Sequence, residues 1–200
     1  MRLTIVRHGE THDNVNRIIQ GQTHGKLTPA GEEQTRKAAL ALKDVRFDAA
    51  YVSDLKRTMR TADILLAHHP DTPVHPAAEL REIHLGEHEG KPVEHLRAAR
   101  TAKGVSRWDY TPEGGEGMRD CQKRMTEFYR TLLARHGNDE NILLVSHGTA
   151  IATLLHDIEG IEFDDATYNK YHPGNTAITI IDVDVDGKHN IHTLNSMEHL

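Results

Sequence analysis

The chain has 200 residues, of which 37% are hydrophobic and 27% are charged, and its formal net charge is −6. This length suits one compact domain with a sizeable core, and the composition excludes a disordered or fibrous protein. The negative charge gives no global support to a nucleic-acid partner, so a phosphorylated ligand would need a locally positive pocket. The single cysteine, Cys121, excludes an internal disulfide and zinc sites built on several thiolates.

The N-terminal residues bear on the cellular compartment of the protein. Met1 and Arg2 run directly into an apolar strand without a signal-peptide pattern, and no apolar run has the length of a bilayer span. We therefore expect a cytoplasmic protein with no membrane partner.

The 16 histidines raise the question of a metal. The candidates are the neighbours His68 and His69, and the pair His84 and His88 at helical i, i+4 spacing. Gly86 interrupts the second pair, and the chain has no H-E-x-x-H motif. The sequence therefore favours solvated surface histidines, and we expect neither a metal nor another cofactor.

Strand and helix patterns alternate along the chain. Thr28 suits the cap of a helix whose first residue is Pro29. Two extended runs near the C-terminus flank Asp186-Gly187, a hairpin signal, and this hairpin would be either a dimer edge or the plain margin of a sheet. In chain order we expect a strand at 2–6, a helix from 29, a strand at 49–53, a helix at about 55–67, an extended piece at 73–76, helices at 93–103 and 118–135, a strand at 142–145, a helix through 150–155, and strands at 176–185 and 190–194.

This alternation predicts one domain over 1–200. The expected fold is a three-layer α/β/α sandwich whose sheet is mostly parallel with an antiparallel edge strand. The pattern weakens at about 86–117, where glycines and prolines flank the short helix, and we interpret this segment as a lid or insertion over a site.

Two copies of a His-Gly pattern each follow a predicted strand: Arg7-His8-Gly9 and Ser146-His147-Gly148. Residues at the carboxyl ends of parallel strands share one crevice, so the two histidines could lie side by side. A neutral imidazole can act as a nucleophile, and neighbouring arginines would lower its pKa below the usual value of about 6.5. Each histidine alone would be read as a structural residue at a strand end.

Arg57 follows the second predicted strand at the start of a helix. Helix N-termini favour anions, and a guanidinium there can bind two phosphate oxygens. Arg60 fits an ordinary surface position better, because it lies further from the strand end.

The ordered set of motifs resembles the histidine phosphatase superfamily, which includes the cofactor-dependent phosphoglycerate mutases. The resemblance covers the chain from the first predicted strand to the helix predicted after Gly148. It is carried by the following segments: Ile5-Val6-Arg7-His8-Gly9-Glu10-Thr11 with Asn14, Gln20-Gly21, Leu27-Thr28-Pro29-Ala30-Gly31, the stretch 53–62, Leu80-Arg81-Glu82 with Gly86 and Glu89-Gly90, Gly114-Gly115-Glu116, and Val145-Ser146-His147-Gly148.

The resemblance implies a phosphomonoester hydrolase that forms a phosphohistidine on His8 and acts on a small phosphorylated metabolite. Glu82 matches the proton donor, although the residues alone would favour a surface glutamate paired with Arg81. The other implied site residues contact or neutralise the phosphoryl group or lie against the substrate: Arg7, Asn14, Gln20, Gly21, Arg57, His147 and Gly148. No metal is implied, since arginines and imidazoles supply the positive charge.

Two alternatives remain open. A phosphoglycerate mutase would have a longer insertion after the proton-donor motif, and Leu85 and Gln20 depart from residues common in mutases. A non-catalytic module that binds a phosphorylated ligand would use the same pocket, although both His8 and Glu82 are present.

Basic residues in the 86–117 segment have two interpretations. They form either a wall for an acidic substrate or the solvated face of a lid helix: Lys91, Arg97, Arg100, Lys103 and Arg107. Trp108 and Tyr110 in the same segment more often anchor a loop than stack on a ligand.

Overall fold

A computed structural model describes all 200 residues. Its single sheet has the strand order β3-β2-β4-β1-β5-β6. The strands are β1 (Arg2–Arg7), β2 (Ala49–Ser53), β3 (Val74–Ala77), β4 (Asn141–Ser146), β5 (Ile178–Val183) and β6 (His189–Ser196). The helices are α1 (His12–Val15), α2 (Pro29–Leu42), α3 (Lys56–Leu65), α4 (Val93–Lys103), α5 (Met118–Arg135), α6 (Gly148–Glu159) and α7 (Asp165–Tyr171).

The sheet topology confirms the predicted fold class. The three pairings among β1 to β4 are parallel, while β5 runs antiparallel to both β1 and β6. The antiparallel part is thus the C-terminal hairpin at one margin of the sheet.

Helices cover both faces of the sheet because the buried strands are apolar on both sides. In β4, Ile142 and Leu144 pack in the larger core with α5 and α6, whereas Leu143 and Val145 pack in the other core with α2 and α3. All four side chains are at most 1% exposed. This alternation gives the three layers of the sandwich.

The predicted start of α2 is confirmed at its cap. Thr28 is the N-cap, its Oγ1 accepts a hydrogen bond from the Gly31 amide at 2.9 Å, and Pro29 is the first helical residue. The helix ends at Leu42, and Val45 packs against the same core from the following turn.

Two short helices were missing from the sequence interpretation. Residues 12–15 form α1, capped by Thr11, and residues 165–171 form α7, capped by Asp164, whose carboxylate accepts a hydrogen bond from the Thr167 amide at 2.7 Å. Both helices lie close to the carboxyl ends of the parallel strands.

The interpretation of His88 as a surface histidine was wrong. Its side chain is 1% exposed, with Nδ1 2.9 Å from Nδ1 of His95 and Nε2 2.7 Å from the hydroxyl of Tyr110. A glycine-containing 3₁₀ turn at residues 86–88 directs the imidazole inward, under the 86–117 segment. Trp108 stacks on Phe163 with ring centroids 4.7 Å apart, which anchors that segment to the loop before α7.

None of the helices combines the length with the apolar character that crossing a bilayer requires.

Candidate active site

The parallel pairing of β1 with β4 brings the two His-Gly motifs together. Arg7 lies opposite Ser146 in the register, so His8 and His147 leave the sheet next to each other. Their ring centroids are 5.2 Å apart, with the planes inclined by 59°. Both side chains are buried, at 2% and 0% exposure.

The hydrogen bonding of His8 defines its tautomer. Nδ1 lies 2.8 Å from the carbonyl oxygen of Gly9, which can only accept, so Nδ1 carries the proton. Nε2 is left with a lone pair that no protein group engages. Burial, followed by the charges of Arg57 and Arg7, lowers the pKa of His8 well below 6.5. The ring is therefore neutral at neutral pH, which is the form that can attack phosphorus.

Arg57 lies in the first turn of α3 and is 1% exposed. Its Nε donates to Nδ1 of His147 at 3.1 Å, and its two terminal nitrogens donate to the carbonyls of Gly21, at 2.7 Å, and Thr23. Since a guanidinium has five N–H groups, two remain for an oxyanion. Burial is the main cause that lowers the pKa of Arg57 to about 10, so it is still charged at neutral pH.

Arg7 is the second buried cation of the site. Its Nη1 donates to the Pro173 carbonyl at 2.6 Å, and its buried Nε has no partner within the chain. Burial lowers the pKa of Arg7, and the negative charge of Glu82 partly opposes this. Neither Arg7 nor Arg57 pairs with a carboxylate, although an unpaired buried charge is costly. The arrangement is therefore suited to an external anion.

Both ring nitrogens of His147 are engaged. Because Nδ1 accepts from Arg57, the proton is on Nε2, which lies 2.7 Å from the hydroxyl oxygen of Ser53 and donates to it. Burial and the charge of Arg57 lower the pKa of His147 well below 6.5. In this geometry His147 holds the guanidinium of Arg57 in place.

Glu82 lies at the N-terminus of α6. Its Oε1 accepts hydrogen bonds from the amides of Ile83, at 2.9 Å, and Ala150, at 3.0 Å, while Oε2 accepts from Thr149 at 3.1 Å. A helix N-terminus is a favourable position for a carboxylate. These bonds fix the carboxyl group close to Arg7 and Arg57. We call the site formed by Arg7, His8, Arg57 and His147 the cationic hollow.

The interpretation of Glu82 as a surface partner of Arg81 does not hold. Arg81 pairs instead with Asp54 through two bonds of 2.6 Å. The loop that carries Glu82 is further held by Arg124, which donates to the carbonyls of Glu79, Arg81 and Glu82 at 2.5–3.4 Å.

Asn14 and Gln20 lie at the rim of the cationic hollow. Asn175 donates to the His8 carbonyl at 3.0 Å and to Oδ1 of Asn14 at 3.3 Å, which links Asn14 to the histidine. Asn14 Oδ1 also accepts from Thr11, so the amide nitrogen of Asn14 is the end available to a ligand. Gln20 is 9% exposed, and its Oε1 has no partner within the chain.

Close packing explains the two glycines among the expected site residues. Gly21 has φ of +49°, and a Cβ there would collide with the carboxylate of Glu89. A Cβ on Gly148 would overlap the imidazole of His172. Gly21 thus lets its carbonyl reach Arg57, and Gly148 lets His172 approach the start of α6.

Some residues of the site were not found from the sequence. The hydroxyl of Tyr168 lies 3.1 Å from that of Thr149, and His172 packs on Gly148. Tyr168 and His172 come from α7 and its C-cap. The capping residue Asp164 could have signalled the helix, but no motif indicates that α7 packs against α6.

The fold and the geometry together define a class of protein. It is an α/β protein with a buried, positively charged hollow at the carboxyl ends of its parallel strands and an unengaged imidazole nitrogen beside it. Such a hollow suits a phosphoryl group, whose oxygens need several directed donors.

Comparison with known proteins identifies the family. The family model described as histidine phosphatase superfamily (branch 1) matches residues 3–196, so the chain belongs to this superfamily. The predicted family is confirmed.

Curated relatives include two phosphatases. The broad-specificity phosphatase YOR283W of Saccharomyces cerevisiae is 31% identical over 194 residues, which are 94% of this chain and 82% of the relative. The fructose-2,6-bisphosphatase TIGAR B of Danio rerio is 38% identical over 155 residues, or 76% of this chain. The match spans only 58% of the length of TIGAR B.

A solved structure supports the same family and the fold. YhfR of Bacillus stearothermophilus superposes with a TM-score of 0.89 at 31% identity, and the match covers 99% of this chain and 98% of that protein.

The burial of His172 predicts a pH dependence of stability. Burial, followed by the charges of Arg7 and Arg107, lowers its pKa from 6.5 to about 4 in the folded protein. The unfolded chain takes up this proton near pH 6.5, so acidification favours unfolding and stability is lost as the pH falls from about 6.5 to about 4. By this linkage, His172→Gln should reduce the loss of unfolding free energy between pH 7.5 and pH 5 by roughly 2 kcal/mol.

Urea unfolding at the two pH values measures this difference. The exposed His68 supplies a matched control, since His68→Gln should keep the wild-type pH dependence. An equal loss of stability on acidification in His172→Gln and in the wild type would contradict the prediction.

Proposed function

We propose that the protein is a phosphomonoester hydrolase that acts through a phosphohistidine on a small phosphorylated metabolite. One observation carries the proposal: the unprotonated Nε2 of His8 is unengaged beside two buried guanidinium groups that have N–H donors to spare. A buried nucleophile next to unpaired cations fits a dianionic electrophile better than a neutral one.

In the first step, Nε2 of His8 attacks phosphorus, and the bond to the leaving oxygen breaks. The free N–H groups of Arg7 and Arg57 bind the non-bridging oxygens, and the amide of Asn14 adds a donor. Gln20 and Gly21 line the approach of the substrate. Glu82 gives a proton to the leaving oxygen through Oε2, which accepts only one amide hydrogen bond, and the leaving group departs as an alcohol.

In the second step, water attacks the phosphohistidine. Glu82, now ionised, accepts a proton from this water, the N–P bond breaks, and inorganic phosphate leaves. His147 acts through Arg57 by holding its Nε, and Gly148 allows His172 to pack against the start of α6. The arginines supply the charge that a metal ion provides in other phosphoryl transfer sites, so we propose no metal cofactor.

The 86–117 segment supports a lid function, because it is tied to the loop that carries Gln20. The Ile19 amide donates to the Lys91 carbonyl at 2.9 Å, and the Gly90 amide donates to the Ile19 carbonyl at 2.8 Å. A single domain with this lid, a cytoplasmic location and a homodimer through the C-terminal hairpin stay predictions from the sequence.

Trapping of the phosphoenzyme tests the nucleophile. With a ³²P-labelled phosphate ester and a quench in base, the label should be acid-labile and should map to His8. His8→Ala should carry no label and lose at least about 10³-fold in kcat, since it lacks the attacking group. His68→Ala is the matched control and should be labelled like the wild type.

Stoichiometric labelling of His8→Ala, or its full turnover, would overturn the proposal. The products separate the alternatives: 3-phosphoglycerate converted to 2-phosphoglycerate in the presence of a bisphosphate primer, without release of phosphate, would show a mutase. Binding of phosphate without labelling or turnover would show a binding module.

The leaving group should reveal the role of Glu82. Glu82→Gln cannot donate a proton, so single-turnover phosphorylation of His8 by an alkyl phosphate should fall roughly 10²–10⁴-fold. With 4-nitrophenyl phosphate, whose leaving group needs no proton, the fall should be much smaller. Rapid-quench measurement of the labelled enzyme gives both rates.

The exposed Glu113 provides the control, since Glu113→Gln should leave both rates unchanged. If Glu82→Gln slows the two esters by the same factor, the residue serves the structure of the site and is not the proton donor.

A further inference from the structure

A cavity lies beside Glu82. It has a volume of about 220 Å³ and lies under the 86–117 segment. Ile83 and Thr149 line it, and the amides of these same two residues donate to the carboxylate of Glu82. Glu82 therefore stands at the boundary between the cationic hollow and this cavity, which we call the leaving-group cavity.

The position of Glu82 indicates which part of the substrate the leaving-group cavity holds. If Glu82 protonates the leaving oxygen, as in the proposed function on which this inference rests, the rest of the leaving group extends past Glu82. The leaving-group cavity is the space on that side. Its volume is below that of sites for drug-sized molecules, which indicates a compact leaving group.

Most of the leaving-group cavity is apolar. Leu85, Leu96 and Met118 line its wall together with the rings of Tyr110 and Tyr168. Burial of apolar surface against this wall favours a leaving group with a hydrocarbon body, either a short chain or a ring.

Two guanidinium groups interrupt the apolar wall. Arg107 packs over the Tyr168 ring, 4.4 Å from its centroid, and its nearest carboxylate is the exposed Asp165 at 3.8 Å. Arg100 forms no ion pair, and burial together with the charges of Arg107 and Arg97 lowers its pKa. The two cations thus lie close enough to repel each other, without a buried carboxylate between them.

The one acidic residue of the cavity wall does not neutralise them. Glu116 is held by Arg124 through two hydrogen bonds of 2.8 Å. The charge of the leaving-group cavity is therefore positive, in a chain whose net charge is −6.

We infer that Arg100 and Arg107 determine specificity for phosphate esters whose leaving group has a compact apolar body and ends in an anion. The anion lies between the two guanidinium groups, the hydrocarbon lies against Leu96 and Tyr168, and the ester oxygen lies at Glu82. A carboxylate and a second phosphate share the required chemistry. Arg97 and Lys103 on α4 are exposed and do not line the leaving-group cavity.

Aryl phosphates that differ at one position test this inference. The measured quantity is the ratio of kcat/KM for 4-carboxyphenyl phosphate to kcat/KM for 4-carbamoylphenyl phosphate, its neutral isostere. Charge-assisted hydrogen bonds to the carboxylate should make this ratio about ten or more in the wild type. Arg100→Ala and Arg107→Ala should each bring it towards one.

Arg97→Ala is the matched control, an exposed arginine on the same helix, and should keep the wild-type ratio. Arg107 also packs on two aromatic rings, so Arg100→Ala carries the test if Arg107→Ala fails to fold. A parallel ratio for 1,4-phenylene bisphosphate identifies the preferred anion: dependence on Arg100 for either anionic ester supports the inference, and the larger ratio names the anion.

A wild-type kcat/KM ratio near one, or a ratio that neither arginine variant changes, would overturn this inference. The proposed phosphatase function would not be affected by that result. If none of the esters is cleaved and His8 is never labelled, both the proposed function and this inference are wrong.

Discussion

The structure depends on the burial of two guanidinium groups that have no carboxylate partner. Removing such charges from water is costly, and carbonyl oxygens meet only part of the cost: those of Gly21 and Thr23 for Arg57, and that of Pro173 for Arg7. The remaining N–H groups are available to an external anion. Burial, together with these positive charges, lowers the pKa of His8 and of His147 and keeps both rings neutral, so the arrangement that suits a phosphoryl group also suits the proposed nucleophile.

The junction of β4 with α6 organises the chemistry around this charge. Four consecutive residues supply His147, which holds Arg57, the close-packed Gly148, and the amides of Thr149 and Ala150, which hold Glu82. The nucleophile arrives independently from β1, whose parallel pairing with β4 sets the distance between the two rings. The proposed acid, Glu82, and the proposed nucleophile, His8, therefore come from different elements but lie against the same helix start.

Residues that lie directly after strands could be predicted from the sequence. His8, His147 and Arg57 follow apolar strands whose carboxyl ends must meet at one edge of a parallel sheet, so local pattern and topology together were sufficient. Arg60, expected at the surface, indeed pairs there with Glu32. The position of Glu82 came from the resemblance, because its partners are backbone amides 67 and 68 positions away, which no side-chain pattern reveals.

Contacts between distant loops could not be predicted. Tyr168 and His172 reach the site only because α7 packs beside α6, and the inward turn of His88 depends on Tyr110, 22 positions later. The sequence pattern does not distinguish among the basic residues of the 86–117 segment. Packing separates them, since Arg100 and Arg107 line a cavity whereas Arg97 and Lys103 face solvent.

A crystal structure with orthovanadate, a mimic of the phosphoryl group in transfer, tests the central claim most directly. Vanadium should be bonded to Nε2 of His8, with equatorial oxygens within about 3 Å of the free N–H groups of Arg7 and Arg57. Vanadate bound elsewhere, or bound in the cationic hollow with His8 turned away from it, would contradict the account.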